Sequence, residues 1–438
     1  MAITKVTGAL LGNYTGGSAD DTVVIGDGAG DAITTGTDNT FIGDNAGSAN
    51  TTASNNVAVG SGALLVNTTG TSNTAIGYIS LQDNTTADNN TAVGWGSLQN
   101  NTTGTQNNAL GVNAMRNNTT GSYNVAIGLE ALDDNTTADA NTAVGHQALT
   151  KNTTGTQNTA VGAYALDANT TADANVGIGR NTLGATTTGG GNTAVGTNAL
   201  VANTTAANNV AVGYDALGAN TTGTNNVAVG EDAGDSVTTG SGNTLIGQET
   251  GDNITTGDGN TVIGRNNATA AVGTTNSIVL GIGVTGTANS RITIGDASAI
   301  AELDLNGSDT SWAASSDRRL KENINNSEAG LSFINDLQVR TFDWKKKKDL
   351  DPSLVNYYED SDERIHGEEG HTYHGFVAQE VLEVLENHSE VKNGLGLIKN
   401  REDGVLSAAP SALVPILTKA VQELSAKVEV LEDKLNNK

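Results

Sequence analysis

The segment S-S-D-R-R-L-K-E-N-I at residues 315–324 holds a serine and a lysine at a spacing that could support nucleophilic chemistry. A serine hydroxyl attacks poorly until a base removes its proton; with no histidine or cysteine partner nearby, a lysine serves if burial lowers its pKa. Lys321 lies five residues from Ser316. Asp317 and Arg319 between them are candidates to orient the segment. Because Ser315 immediately precedes Ser316, the nucleophile could be displaced by one residue, and the distance to Lys321 favours Ser316. Taken alone, residues 316–321 read first as a polar linker with chance charges.

Other chemistry-bearing groups are weaker. His366, His371 and His374 fall within nine residues but match no zinc spacing, and Glu368 and Glu369 beside them read as a solvated loop. Lys345 to Lys348 beside Trp344 form a basic run, which an exposed loop explains better than nucleic acid does. Asp27, Asp31, Asp232 and Asp235 flank glycines but lack the regular nonapeptide of calcium-binding β-rolls. No metal and no cofactor is expected. Tyr78 and Trp95 occupy one column of the repeat described below, one coil apart, where they would stack as an aromatic surface for sugars. They are candidate glycan contacts, against the plainer reading of turn decoration.

The elements that position these groups belong to two designs. Glycines recur at 26, 43, 60 and every 17 residues up to 281, sixteen registers without a slip. The residue before each is Ile, Val or Leu. Asn precedes the glycine by four residues from Asn39 to Asn260, and a Thr pair follows it by eight and nine from Thr34 and Thr35 to Thr255 and Thr256. The consensus N-T-A-V-G-x-x-A-L-x-x-N-T-T-G-x-x alternates like a strand through N-T-A-V-G, so each unit predicts one coil of a β-solenoid with glycine at a turn of unusual φ. One coil buries too little to stand alone, and sixteen stacked at a strand spacing of about 4.8 Å give a rod on the order of 75 Å long.

Stacking places like over like. The Asn column predicts an amide ladder, the Thr columns hydroxyl ladders, and the Ile/Val/Leu column a continuous thin core. Leu or Met stands four residues after the glycine from Leu64 to Leu217, replaced by Gly30, Gly47, Gly234 and Gly251 toward the ends, which predicts a middle richer in apolar bulk. That column reads as coil interior or as a seam between chains. The small alanines of Ala58, Ala75, Ala92, Ala109 and Ala126 favour several chains packed about one axis.

Composition disfavours one globular core of this length and an ordinary enzyme domain. The 438 residues include 55 Gly, 3 Pro and no Cys, with 36% hydrophobic and 3% aromatic residues. The formal charge of -26 disfavours nucleic acid and anionic membranes as partners, and no apolar run is long enough to insert into a bilayer. No disulfide, thiolate zinc site or cysteine nucleophile can form. The N-T-T triplets are formal glycosylation sequons, but they are the structural Thr column, and no export signal is readable at the amino terminus. At 414–435, Val414, Leu417, Val421, Leu424, Val428, Leu431 and Leu435 alternate steps of three and four, the seam of an oligomeric coiled coil or one amphipathic helix lying on its own domain.

The N-T-A-V-G units resemble the head repeats of trimeric bacterial adhesins and the shaft repeats of phage tail fibres. Ser316, Asp317, Arg319 and Lys321 match the S-D-x-R-x-K signature of peptidase family S74, the self-cleaving intramolecular chaperone at the ends of tail spikes and fibres. The segments 330–345, H-G-F-V-A-Q-E-V at 374–381 and 412–424 resemble its later blocks. This resemblance implies Ser316 as nucleophile, Lys321 as general base and Ser315-Ser316 as the scissile bond. The organisation expected is an amino-terminal segment 1–21, a β-solenoid shaft 22–290, a neck 291–311, a small α/β chaperone domain 312–410 and a coiled-coil helix 411–438. The function expected is a homotrimeric phage tail fibre or appendage, part of the virion and made in the host cytoplasm. Its own copies, a host surface glycan or receptor and other virion proteins would be partners, and its only catalysis a single self-cleavage. A cell-surface adhesin and a glycan-degrading tail spike are the alternatives; the lack of an aromatic, carboxylate-rich cleft argues against the latter.

Overall fold

The computed structural model describes residues 21–305, 313–314, 324–352, 357–366, 372–388, 391, 397–400, 406–408 and 410–437. The chain divides into two compact units, Met1–Ser315 and Ser316–Lys438.

The first unit is a β-solenoid. Each coil contributes one short strand, from β1 (Val23–Ile25) and β2 (Thr40–Ile42) to β14 (Thr244–Ile246), β15 (Thr261–Arg265) and β16 (Ile278–Ile282). Each strand pairs in parallel with its equivalent one coil on, as in Val57↔Thr74, Ala58↔Ala75 and Val59↔Ile76. Coils therefore wind within one chain. Backbone bonds continue around the turns, where the Leu64 N–H donates to the Ser80 carbonyl and the Thr68 N–H to the Thr85 carbonyl. The repeating glycine is required on two counts. Gly60 lies at φ +135°, and a Cβ there would overlap the Gly77 carbonyl oxygen of the next coil.

The interior is filled by other columns than the hydropathy pattern suggests. A three-residue strand has one inward position, and alanine takes it: Ala58, Ala75, Ala92 and Ala126 are fully buried. The Ile/Val/Leu column, expected as the core, therefore points outward, leaving Ile76 40%, Leu110 50% and Ile127 40% exposed. The alanines line their own coil and do not face an axis shared between chains. The Leu/Met column from Leu64 to Leu217 is coil interior, fully buried. These side chains sit in the left-handed region, at φ +50° to +56°, a conformation that costs each roughly 1 kcal/mol.

Glycine at this column toward the ends does not thin the core. The position a Cβ would take at Gly47 is occupied by the Phe41 ring at 2.7–2.8 Å, and at Gly251 by Leu245 Cδ2 at 2.8 Å and Ile254 Cδ1 at 3.2 Å. Volume lost from one column is supplied by larger residues in the alanine column and in the column of the second consensus Asn. The expected fat middle is thus a change in which residues fill the coil.

Two buried Asn columns satisfy the turns. Four residues before the glycine, Asn56 accepts the Asn73 N–H on Oδ1 at 2.9 Å and donates Nδ2 to the Gly70 carbonyl at 3.0 Å. Seven residues after the glycine, Asn67 donates to Asn50 Oδ1 at 3.0 Å and Asn84 to Asn67 Oδ1 at 2.9 Å, a run of amide-to-amide bonds. The run stops where Thr186 and Val237 enter the column, leaving Asn169 Oδ1 and Asn220 Oδ1 without a donor. The Thr hydroxyls reach carbonyls, not each other: Thr68 Oγ1 donates to the Thr85 carbonyl at 3.0 Å.

Past β16 the repeat ends. β17 (Arg291–Asp296) is the last parallel partner, and β18 (Ile300–Asp304) returns antiparallel to it, so the growing edge of the sheet is turned back on itself. Arg291 ties the hairpin through Asp304 at 3.0 Å and Glu302 at 3.5 Å. β19 (Ala313–Ala314) pairs antiparallel with β18.

The second unit contains α1 (Leu331–Asp336), the antiparallel pair β20 (Arg340–Phe342) and β21 (Tyr373–Gly375), α2 (Ala378–Asn387), the antiparallel pair β22 (Ile398–Asn400) and β23 (Leu406–Ala408), and α3 (Val414–Asn436). Ala329, Phe333, Val381, Leu385, Leu413 and Ile416 form its core. No helix among the described residues is long and apolar enough to cross a membrane.

Candidate functional site

Ser315, Ser316, Asp317, Arg319 and Lys321, the residues expected to carry the chemistry, lie outside the described residues. Downstream of them, Ile324 to Glu328 are exposed, and the chain enters the core of the second unit at Ala329 and Phe333, 2% and 0% exposed.

Both ends of α1 are held. At its start the Leu331 N–H donates to Glu423 Oε2 of α3 at 2.9 Å. A Cβ on Gly330 would lie 2.5–2.7 Å from that carboxylate, so glycine is what admits it. An acceptor carrying negative charge suits a helix start, where N–H groups lack partners. At the other end Asp336 Oδ2 lies 2.8 Å from Nε2 of His388, which caps α2, is 8% exposed and meets the Phe333 ring edge-on. α2 is joined to β20 through Arg340 and Glu380 at 2.9 Å. No pattern in the sequence singles out Glu423.

The remaining candidates disperse. The lysine run is matched by carboxylates: Lys346 and Asp362 at 3.5 Å, Lys347 and Glu363 at 2.6 Å, and Lys348 and Asp362 at 2.5 Å. The hydrogen bond from Lys348 holds the Asp362 carboxyl below its ordinary range, and that from Lys347 does the same for Glu363. His366 packs edge-on against Trp344, ring centroids 4.9 Å apart, and His374 is exposed in β21, while His371 lies outside the described residues. Among the described residues no group of three His, Asp or Glu stands close enough to hold a metal ion.

On the shaft, Tyr78 and Trp95 are 53% and 45% exposed just after the repeat glycine, followed in the same column by Val112 and Leu129, each 43% exposed. No ring contact joins Tyr78 to Trp95; the aromatic contact found nearby along the shaft is His146 edge-on to Tyr164.

α3 has two faces. Ile416 and Ala420 are buried in the second unit at 3% and 4%. The seven seam positions all lie elsewhere: Val414, Leu417, Val421, Leu424, Val428, Leu431 and Leu435 are 43–75% exposed. The seam is therefore not used up on the helix's own domain.

Residues 316–390 match the family model of peptidase S74, the chaperone of endosialidase. The carboxy-terminal unit carries a chaperone domain of this type. The match opens at Ser316, the residue at which the second compact unit begins. A comparison with curated proteins gives no match, and neither does one with solved structures. A β-solenoid shaft of about sixteen 17-residue coils followed by a peptidase S74 chaperone domain fits a tail fibre or tail spike.

Proposed function

We propose that the chain is one subunit of a homotrimeric phage tail fibre whose carboxy-terminal domain assembles three chains and then cuts itself away. The observation that carries the cleavage is the coincidence at Ser316 of the start of the family match and the start of the second unit. The exposed seam of α3 supports assembly, since seven apolar side chains at heptad spacing gain burial only against other helices.

In this reading Lys321 takes the Ser316 hydroxyl proton and the oxygen adds to the Ser315 carbonyl carbon. The bond from that carbon to the Ser316 nitrogen breaks, and the nitrogen leaves as an amine carrying the proton. Water then hydrolyses the Ser315 ester, giving a carboxylate at Ser315 and a new amino terminus at Ser316. Asp317 and Arg319 orient the segment. The test is intact mass under denaturing conditions for the native chain, Ser316→Ala and Lys321→Ala. The native chain should give two fragments meeting at Ser315-Ser316 and each variant only full-length protein in an assembled fibre. A folded native trimer that stays full-length would remove the cleavage reading.

The shaft would remain in the virion and contact the host. Tyr78 and Trp95, exposed one coil apart, are the residues we assign to a surface glycan, since exposed aromatic faces pack against sugar rings. Loss of whole-cell binding in Trp95→Ala with the fibre intact would support that assignment, and unchanged binding in the double variant with Tyr78→Ala would end it.

A further inference from the structure

We infer that the outward face of the parallel sheet is the surface on which shafts pack against one another. The occupant is a second copy of this chain, parallel and in register, with a third closing the set. This rests on the homotrimer reading and adds to it the face that makes the contact.

Two outward columns build this face. Along the whole sheet, from β1 to β16, the residue just before the glycine is Ile, Val or Leu, and the outward residue two positions earlier is Val, Thr, Ile or Asn. Neither column holds a charged residue, in a chain with 48 Asp and Glu. The acidic residues of the coils occupy the turns instead, some of them on consecutive coils. Asp215, Asp232 and Glu249 follow in one column, and Asp133, Asp167, Asp235 and Asp252 share another. Burial pushes Asp215 and Asp235 up from the ordinary carboxylate range, and neighbouring carboxylates push the same way.

Charge therefore disfavours the acid-bearing turns, and apolar exposure separates the sheet face from the Thr columns, which are uncharged as well. Two copies meeting through their turns would bring acid columns together in a chain of net charge -26, whereas the sheet face brings neutral columns together. Apolar exposure points the same way. Ile76, Leu110, Ile127, Val161, Ile178, Val212, Val229, Ile246 and Ile263 are left 36–50% exposed, each one coil or a few coils from the next. Isolated exposed apolar residues need no explanation, but a continuous stripe running the length of a rod does. With both columns over sixteen coils the face presents on the order of 1,000 Å² per copy, against roughly 800 Å² per partner in a standard specific interface. Regularity matters as much as area: every coil repeats the same strand in the same register, so each coil offers a partner the same two columns.

The native chain has no cysteine, so a single introduced thiol is a clean reporter. Val161 lies on the sheet face and Val112 in the neighbouring turn column, at 36% and 43% exposure within one chain. Val161→Cys and Val112→Cys in the full chain should be labelled by a bulky maleimide at similar rates after denaturation. In the native fibre Val161→Cys should react at least tenfold more slowly. Light scattering on the same samples separates the outcomes. A trimer in which both thiols react equally overturns the sheet-face interface and leaves the homotrimer standing. A monomer overturns both. Because a thiol replacing valine is small and uncharged, loss of folding is not the expected outcome for either variant. Ile127→Asp with Val161→Asp provides the second arm: it should dissociate or prevent the shaft contact, while Val112→Asp should not.

Discussion

Replacing Leu149 by glycine and Ala143 by leucine, separately and together, tests how a coil shares its volume between columns. Leu149 is fully buried at φ +53°. Deleting its side chain loses about 3 kcal/mol of burial and cavity free energy. Glycine relieves the left-handed conformation and returns about 1 kcal/mol, leaving a net cost of about 2 kcal/mol. Ala143→Leu alone overfills the coil, at a cost of about 2 kcal/mol. Together the new leucine enters the space vacated at 149, as Leu245 and Phe41 do over Gly251 and Gly47. The double variant should come within about 1 kcal/mol of the native chain, a coupling of about 3 kcal/mol. Coils of a solenoid open locally, so amide exchange of the coils between Ala126 and Leu166 is the suitable assay. Each single variant should exchange about 30-fold faster there, and the double variant less than tenfold faster. If the double variant exchanges as fast as the two single effects multiplied, the columns do not share one volume and the account of the coil ends is wrong.

Gly128→Ala puts a Cβ into the Gly145 carbonyl oxygen at φ +138°, so protection of the flanking coils should be lost far beyond the effect of an alanine at an exposed turn such as Asp134→Ala. Asp133 has its carboxyl raised to about 6, chiefly by burial, against the opposing charge of Arg116 at 2.9 Å. The native coil therefore holds this proton more tightly than the unfolded chain. Stability should rise as pH falls from 7 through about 6 toward the ordinary carboxylate value near 4. Asp133→Asn should flatten that rise in exchange measured at pH 7 and pH 5. On α3, Leu424→Asp with Val428→Asp faces charge into the seam without touching the buried Ile416 and Ala420, and light scattering should show loss of assembly with the helix content of the domain retained.

The period of the solenoid was legible because glycine cannot be replaced where the next coil's carbonyl occupies the Cβ position, which leaves an unbroken mark every 17 residues. Which columns face inward was not legible from hydropathy. In T-A-V the largest apolar residues flank the inward alanine, so a reading that buries valine and isoleucine inverts the strand. The exchange of Leu for Gly at 47 and 251 carried the missing information, since each such glycine comes with Phe41 or Leu245 in the alanine column. The three blocks that resemble the family each hold elements of the second unit: α1 and β20 lie within 330–345, 374–381 takes in parts of β21 and α2, and α3 begins at Val414 within 412–424. Glu423 left no trace in the pattern, because a side chain that reaches from one helix to the start of another depends on tertiary placement.

The sheet face and the α3 seam, both apolar and exposed in a single chain, differ in what they can specify. On the sheet face each coil offers nearly the same neutral pair, so sliding one shaft past another by 17 residues loses the contact of only one coil in sixteen. Such a face can give area, but it discriminates weakly between registers. On α3 the seam from Val414 to Leu435 extends over about three heptads, so a slip of one heptad removes about a third of that contact. If both surfaces meet their own copies, as proposed, α3 sets the register and the shaft face holds it. Cleavage at Ser316 after assembly would then release the register-setting helix without loosening the rod, because a shaft already aligned must separate many coils at once to slip.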